Sequence, residues 1–234
     1  MRGDLQGACM KIPALVCLAL ALTWGTAHAQ MTPETRDFVL LEHNRLRQDA
    51  IGAGPPDFVS SVTATRMVEM EYDMLLECVA QGHLVSLGAG PYTPNGNRAA
   101  DYAACGGSGT VGENYFSGEP VGGPAGGATR AWVDWIFPIA FGGNDCSERE
   151  NFYGDRGCTG PTQHYTQVLW DRSLRVGCGF VAAIGTVCNY APAGNTGGAP
   201  FVVGTACSAC PGTHPYCAYG LCTSVALMFS DGFE

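Results

Sequence analysis

The chain of 234 residues is long enough for one domain with a hydrophobic core and a small appendage. Its 12 Lys and Arg are outnumbered by 21 Asp and Glu, and the formal net charge of −9 argues against nucleic acid or an anionic membrane as a partner. Beyond residue 29 no run reaches the roughly 18 apolar residues of a membrane helix, so we expect no transmembrane segment. We also expect a monomer.

Residues 1–29 have the pattern of an export signal. Arg2 and Lys11 make the segment before the apolar run 12–23 positively charged. Ala27-His28-Ala29 is a cleavage site of the small-x-small type. A retained amphipathic anchor is the alternative. Export would place the chain outside the cell, where an even number of cysteines predicts disulfides. The cysteines after the signal are Cys78, Cys105, Cys146, Cys158, Cys178, Cys188, Cys207, Cys210, Cys217 and Cys222.

The first half of the chain has the periodicity of helices. Thr32-Pro33-Glu34 predicts a helix start, and His43 follows on the buried face as a core residue rather than a ligand. A second helix is predicted from about Thr63 to Val85 and a loop from Gly88 to Gly109. A third helix is predicted over residues 128–137.

The second half is predicted to form an antiparallel sheet. Segments 166–170, 176–183 and 186–190 are rich in β-branched and aromatic residues, which is typical of strands. Cys178 and Cys188 would then face each other across a turn at Ile184-Gly185 and form a disulfide. The polar segment 142–160 contains Cys146 and Cys158 and predicts a disulfide-tied loop.

A small cysteine-rich module follows the predicted sheet. Cys207, Cys210, Cys217 and Cys222 lie within a short stretch and allow three disulfide pairings. A zinc knot is the alternative, although an exported chain favours disulfides. The predicted division is therefore 1–29 signal, 30–200 domain, 201–225 cysteine-rich module and 226–234 tail.

Several motifs resemble those of the CAP superfamily, which comprises cysteine-rich secretory, antigen 5 and pathogenesis-related 1 proteins. Gln163-His164-Tyr165-Thr166-Gln167-Val168-Leu169-Trp170 and Cys188-Asn189-Tyr190-Ala191-Pro192-Ala193-Gly194-Asn195 are similar to the two family signatures. Gly112-Glu113-Asn114 is similar to the family's G-E-N element, and residues 207–222 to the hinge of cysteine-rich secretory proteins. The resemblance implies an α+β fold: a disulfide-rich, three-layer α-β-α sandwich with a central antiparallel sheet.

The resemblance also implies a central cavity with two His and two acids, which binds a divalent metal in many members. His164 and Glu113 match one His and one acid, and His83 is the candidate for the second His. Trp135 stands at the second acid's position, where Glu148 or Glu150 could substitute. Because a catalytic zinc needs about three protein ligands, we expect a degraded site that holds a metal such as zinc weakly.

Three functions remain open from the sequence. The first is a secreted, non-enzymatic binding protein for a sterol, another lipid or an extracellular protein. The second is a metal-dependent or protease-like hydrolase that uses His164 and Glu113, with Thr166 as a possible hydroxyl, although no G-x-S-x-G elbow occurs. The third is a structural or host-interaction module in which His164 and Glu113 only hold the fold together.

Overall fold

The computed structural model of the chain describes residues 31–51, 62–122, 127–134 and 162–226. In these ranges the helices are α1 (Pro33–Ala50), α2 (Met74–Leu87), α3 (Arg98–Ala104), α4 (Ala128–Asp134) and α5 (Gln163–Val168). The strands are β1 (Glu71–Tyr72), β2 (Gly112–Phe116), β3 (Arg175–Val181), β4 (Gly185–Ala191), β5 (Tyr216–Ala218) and β6 (Leu221–Thr223). No helix within these ranges combines the length and the apolar character needed to cross a membrane.

The central sheet has the strand order β1-β3-β4-β2. β3 and β4 form an antiparallel hairpin in which Cys178 lies opposite Cys188, and these two cysteines form the expected disulfide. β2 is antiparallel to β4, but β1 is parallel to β3, so the expectation of a purely antiparallel sheet is wrong at this edge. Parallel neighbours need a long crossover, which the chain between β1 and β3 supplies.

Two helical layers cover the sheet, as the three-layer prediction requires. All seven residues of β4 are buried, and alternate side chains face opposite layers. Val187 packs in a cluster with Ala80 and Leu84 of α2. Cys188 and Tyr190 belong to the other cluster, which includes apolar residues of α1, α4 and α5. The sandwich therefore has one core on each face of β4.

Helix α1 begins where the sequence predicts. The Thr32 side chain accepts a hydrogen bond from the backbone N–H of Thr35 at 3.2 Å, and Pro33 occupies the first helical turn. On its buried face, the Arg47 guanidinium donates to the carbonyls of Val68, Val168 and Trp170 at 2.6–2.8 Å. The side chain thus satisfies backbone groups that would otherwise be buried without partners.

Helix α2 begins later than predicted. The carboxylate of Asp73 caps it by accepting from the backbone N–H of Leu75 at 2.7 Å, so the predicted start near Thr63 is wrong. Residues 62–70 are not helical because their backbone groups bond elsewhere. Cys222 N–H donates to the Met67 carbonyl at 2.7 Å, and Glu69 N–H donates to the Cys222 carbonyl at 2.9 Å.

Two further segments differ from the predictions. Residues 88–109 include helix α3, whose C-cap residue Cys105 is joined by a disulfide to Cys78 of α2. Residues 163–168 form helix α5 rather than a strand. Tyr165, Val168 and Leu169 are buried and lie at helical spacing, so their tertiary packing outweighs the strand propensity of Thr166 and Val168.

The cysteine-rich module is a two-stranded hairpin of β5 and β6 that is attached to residues 62–69. Its disulfides are Cys207–Cys217 and Cys210–Cys222. These four cysteines are therefore paired with one another and are not thiolate ligands of a zinc knot. The predicted loop with Cys146 and Cys158, the signal segment and residues 227–234 lie outside the described residues.

Candidate functional site

A cavity of about 480 Å³ lies between strand β2, helix α4, the start of helix α5 and the segment before α3. The aromatic residues of its wall are Tyr92, Tyr115, Phe116 and Trp132, and the polar ones are Arg98, Glu113, Ser117 and His164. His164 and Glu113, which the sequence motifs single out, therefore line the same cavity.

The aromatic wall is assembled from three separate segments. Tyr115 lies two residues after Glu113 on β2, so both side chains point to the same face of the strand. The ring of Tyr92 stacks on Tyr115 with centroids 3.7 Å apart and an interplanar angle of 3°. The Trp132 indole N–H donates to the Tyr115 carbonyl at 2.9 Å, which fixes α4 against the strand. The result is a rigid, largely apolar surface.

The Glu113 carboxylate is buried and surrounded by donors. Its Oε1 atom accepts from the Tyr92 hydroxyl at 2.7 Å, from the Asn95 N–H at 3.1 Å and from Arg98 Nη1 at 3.5 Å. Its Oε2 atom accepts from Asn189 Nδ2 at 3.4 Å. Burial, with the negative charge of Glu113 beside it, raises the pKa of the Tyr92 hydroxyl, which therefore remains a donor.

A buried chain of hydrogen bonds connects His164 to helix α1. Asn114 Nδ2 donates to the His164 carbonyl at 3.0 Å and to the Tyr190 hydroxyl at 3.3 Å. The Tyr190 hydroxyl lies 2.9 Å from His43 Nε2, and His43 Nδ1 lies 2.7 Å from the Val39 carbonyl. Since a carbonyl can only accept, Nδ1 carries the proton and the Tyr190 hydroxyl donates to Nε2.

His43 is therefore a structural residue, as its position on α1 predicts. The imidazole is completely buried, and burial lowers its pKa to about 4, so it is neutral at physiological pH. Its position within the hydrogen-bond chain holds α1 to β4. The ring lies edge-on to Trp132 with centroids 6.2 Å apart, but His43 itself does not line the cavity.

The other candidate residues within the described ranges do not line this cavity. His83 lies on α2, donates from Nε2 to the Thr93 carbonyl at 2.7 Å, and lines a second cavity beside the Cys78–Cys105 disulfide. The Thr166 hydroxyl lies 2.9 Å from the Thr162 carbonyl and 2.7 Å from Asn195 Oδ1, outside the cavity wall that holds His164. The positions expected for a second acid, namely Trp135, Glu148 and Glu150, lie outside the described residues.

The ligand atoms that the described residues supply to this cavity do not fit a resident metal ion. Of the candidates within the described ranges, only His164 and Glu113 line it, and the Arg98 guanidinium lies 3.5 Å from the carboxylate, where it disfavours a second cation. Elsewhere in the described ranges, the one cluster with metal-ligand spacing is formed by Cys207, Cys210 and Cys222, whose sulfurs are all in disulfides.

The sequence motifs did not reveal the residues that shape the cavity around Glu113. Tyr92 and Arg98 come from a segment predicted to be a loop, in which no pattern distinguishes them from surface residues. Tyr115 could have been found, because it follows Glu113 at the strand period of two. Trp132 was placed on the correct helix, but nothing in its spacing indicated that it faces the cavity.

Comparison with known proteins places these motifs in a family. The profile described as “CAP: Cysteine-rich secretory protein family” matches residues 40–190. The chain is 28% identical over 217 residues to a cysteine-rich venom protein of Tityus serrulatus, covering 85% of this chain and 48% of that protein. It thus spans about half of the scorpion protein's length. It is also 28% identical over 233 residues to cysteine-rich venom protein VAR5 of Varanus acanthurus, covering 92% and 89% of the two chains.

The fold is likewise similar to that of a solved structure. Na-ASP-1 superposes with a TM-score of 0.57 at 21% sequence identity, covering 95% of this chain and 52% of Na-ASP-1. At this level of identity the likeness concerns the α-β-α fold alone.

Proposed function

The chain belongs to the CAP family of cysteine-rich secretory proteins, and we propose that it is an exported, non-enzymatic binding protein. Its ligand would be a small, largely apolar molecule such as a sterol or another lipid, held in the cavity beside Glu113 and His164. The observation that carries this proposal is the composition of the cavity wall, in which four aromatic side chains surround a few polar groups.

The size and chemistry of the cavity support a ligand of this class. Its volume of about 480 Å³ falls within the roughly 300–1,000 Å³ typical of small-molecule sites. Such sites are mostly apolar, with a few polar groups that orient the ligand. Tyr115, Phe116 and Trp132 provide the apolar area, and burying it in contact with a ligand would drive binding.

The arrangement gives less support to the hydrolase alternative. A hydrolytic nucleophile must lie within hydrogen-bond reach of its base. The Thr166 hydroxyl is directed to the Thr162 carbonyl and to Asn195 instead. Oε1 of Glu113 already accepts from three donors, including the Arg98 cation. The Thr166 hydroxyl and Oε1 of Glu113 are therefore both engaged in structural hydrogen bonds.

Export and domain organisation belong to the same proposal. The signal-like residues 1–29 precede the domain, and the relatives in the comparison are named as venom proteins. We propose a mature domain over residues 30–200, a cysteine-rich module over 201–225 and a tail over 226–234. The disulfides of both parts fit an oxidising compartment outside the cell.

Binding can be tested with a fluorescent sterol and a fluorescent fatty alcohol titrated against the mature protein. We expect saturable binding that is lost in Ala131→Phe, because Ala131 lines the cavity and a phenyl ring would fill it. Ala103→Phe, the same change at an exposed position of α3, is the matched control and should bind normally. Absence of saturable binding, or equal binding by Ala131→Phe, would contradict the proposal and favour a purely structural role for the cavity.

A further inference from the structure

The two oxygens of the Glu113 carboxylate differ in their hydrogen bonding. Among the described residues, Oε1 accepts from three donors, whereas Oε2 has a single hydrogen-bond contact, with Asn189 Nδ2 at 3.4 Å. That distance exceeds the usual 2.7–3.2 Å, and the same Asn189 nitrogen makes a shorter bond of 3.1 Å to the Gly112 carbonyl. A carboxylate oxygen can accept two strong hydrogen bonds, so Oε2 of Glu113, a residue that lines the cavity, retains acceptor capacity.

Arg98 balances the charge of Glu113 on the same wall. Its Nη1 atom lies 3.5 Å from Glu113 Oε1 and also donates to the Asn95 carbonyl at 2.6 Å, while Nε donates to the Val111 carbonyl at 3.1 Å. The guanidinium is therefore fixed beside the carboxylate by two backbone acceptors. The polar part of the wall presents one negative and one positive group side by side.

A charged head group would meet a like charge at this wall. A ligand carboxylate that approached Oε2 would place two anions together in a partly desolvated site, which is unfavourable. A ligand ammonium could bond to Oε2, but it would lie close to the Arg98 guanidinium. A hydroxyl can donate to Oε2 without bringing a net charge into the cavity.

We infer that the cavity selects apolar ligands with an uncharged hydroxyl head group, which donates its hydrogen to Oε2 of Glu113. This inference rests on the proposed binding function, and it assigns the chemical class of ligand and the atom that recognises it. The hydrocarbon body would lie against the aromatic wall of Tyr115, Phe116 and Trp132.

The experiment compares three ligands that share one hydrocarbon body and end in an alcohol, a carboxylate or an amine. Affinities are measured at neutral pH by calorimetry and by intrinsic tryptophan fluorescence, to which Trp132 of the cavity wall contributes. We expect the alcohol to bind at least about tenfold more tightly than either charged ligand, since a hydrogen bond to a charged group contributes roughly that much.

Two variants should reverse the preference in opposite directions. Glu113→Gln keeps an acceptor for Tyr92 and replaces the anion with a neutral amide, so we expect it to bind the carboxylate better than the alcohol. Arg98→Gln leaves Glu113 without its cationic neighbour and should favour the amine. The thermal unfolding midpoint of each variant shows whether it folds. The test uses the ligand affinities of each variant that folds, together with the order of the three affinities in the wild-type protein.

The possible results separate the two proposals. If none of the three ligands binds the wild-type protein, the proposed binding function itself fails. If they bind equally well, or a charged ligand binds best, the cavity binds lipids but the hydroxyl inference is wrong. The inference is also wrong if Glu113→Gln folds and retains the wild-type ranking, because the head group would then lie away from Glu113.

Discussion

At the scale of single residues, burial lowers the pKa of His43, although this group does not line the cavity. Its imidazole donates to the Val39 carbonyl and accepts from the Tyr190 hydroxyl, and no water reaches it. The neutral ring is therefore required by packing. A perturbed pKa often indicates a functional site, but here the hydrogen-bond partners assign it to the core.

This perturbation predicts a loss of stability in mild acid. The pKa of His43 is about 6.5 when unfolded and about 4 when folded, because burial disfavours the charged ring. Between these values the unfolded chain binds a proton that the folded chain does not, so the free energy of unfolding should fall by about 3 kcal/mol as the pH decreases from 6.5 to 4. Urea unfolding measured at several pH values between 6.5 and 4 gives the slope of the free energy of unfolding against pH.

The variant His43→Gln removes the titrating ring and should flatten this part of the stability profile, even if it is less stable at neutral pH. His83→Gln is the matched control for the substitution itself, since His83 lies on the other helical layer. If His43→Gln shows the full wild-type slope between pH 6.5 and 4, the loss of stability must come from other groups.

The motif residues were the most predictable part of the site. His164 and Glu113 were identified from their surroundings in the sequence, and both line the cavity. His83 was chosen from its spacing after Cys78, yet it lies over a second cavity. Tyr92 bonds to Glu113 instead, and its position depends on the path of residues 88–97, which no local periodicity specifies.

At the scale of elements, the close approach of α2 to β3 depends on residues without side chains. A Cβ atom on Gly179 would lie 2.5 Å from the backbone nitrogen of Gln81 and 2.8 Å from the carbonyl carbon of Ala80. Gly177 is similarly close to the backbone of the same helix. These two glycines let α2 lie directly on the sheet.

Two Gly→Ala substitutions should therefore have opposite effects. Gly179→Ala forces α2 away from β3 and should lower the free energy of unfolding by roughly 1–3 kcal/mol. Gly82→Ala lies on α2 with no neighbour within 4 Å and should raise it by about 0.5–1 kcal/mol, because alanine favours the helix. Chemical denaturation of both variants provides the comparison, and a stabilised Gly179→Ala would show that α2 is not in tight contact.

Elements were predictable where local and tertiary signals agree. Local sequence and tertiary packing agree at the helix cap of Thr32 and at the hairpin that contains Cys178 and Cys188, and the structure confirms both predictions. Segment 166–170 has strand-like composition, but its buried side chains repeat at helical spacing, and packing decides in favour of the helix. Residues 63–70 have methionines at helical spacing, which predicted a helix. Their backbone groups instead form hydrogen bonds with residues remote in sequence, and these bonds could not be inferred from the local sequence.

At the scale of the whole molecule, the cysteine-rich module and the sandwich share a segment of chain. Thr65 N–H donates to the Val202 carbonyl at 2.9 Å, and Ala209 N–H donates to the Thr65 carbonyl at 2.9 Å. Val68 also forms a parallel bridge with Cys222, just before β1 enters the sheet. The parallel edge of the sheet was not predictable from strand propensities, because it depends on this route of the chain.

We expect the two parts to unfold together. The module is short and buries Leu221 and Cys222 against the domain, so it has little core of its own. Scanning calorimetry of the disulfide-intact protein should show one transition whose calorimetric and van't Hoff enthalpies agree. Two resolved transitions would mean that the module is thermally independent of the sandwich.

Residues 62–72 connect a solvent-facing hairpin to the interior of the sandwich over a short length of backbone. Tyr219 at the tip of that hairpin is 64% exposed and is accessible to other molecules. If the hairpin were immobilised on a surface, tension on the protein would pass through the paired backbone of Met67 and Cys222 into β1 and its neighbour β3. The junction would act as a mechanical coupling between an attachment point and the edge of the sheet opposite β2, the strand that lines the cavity.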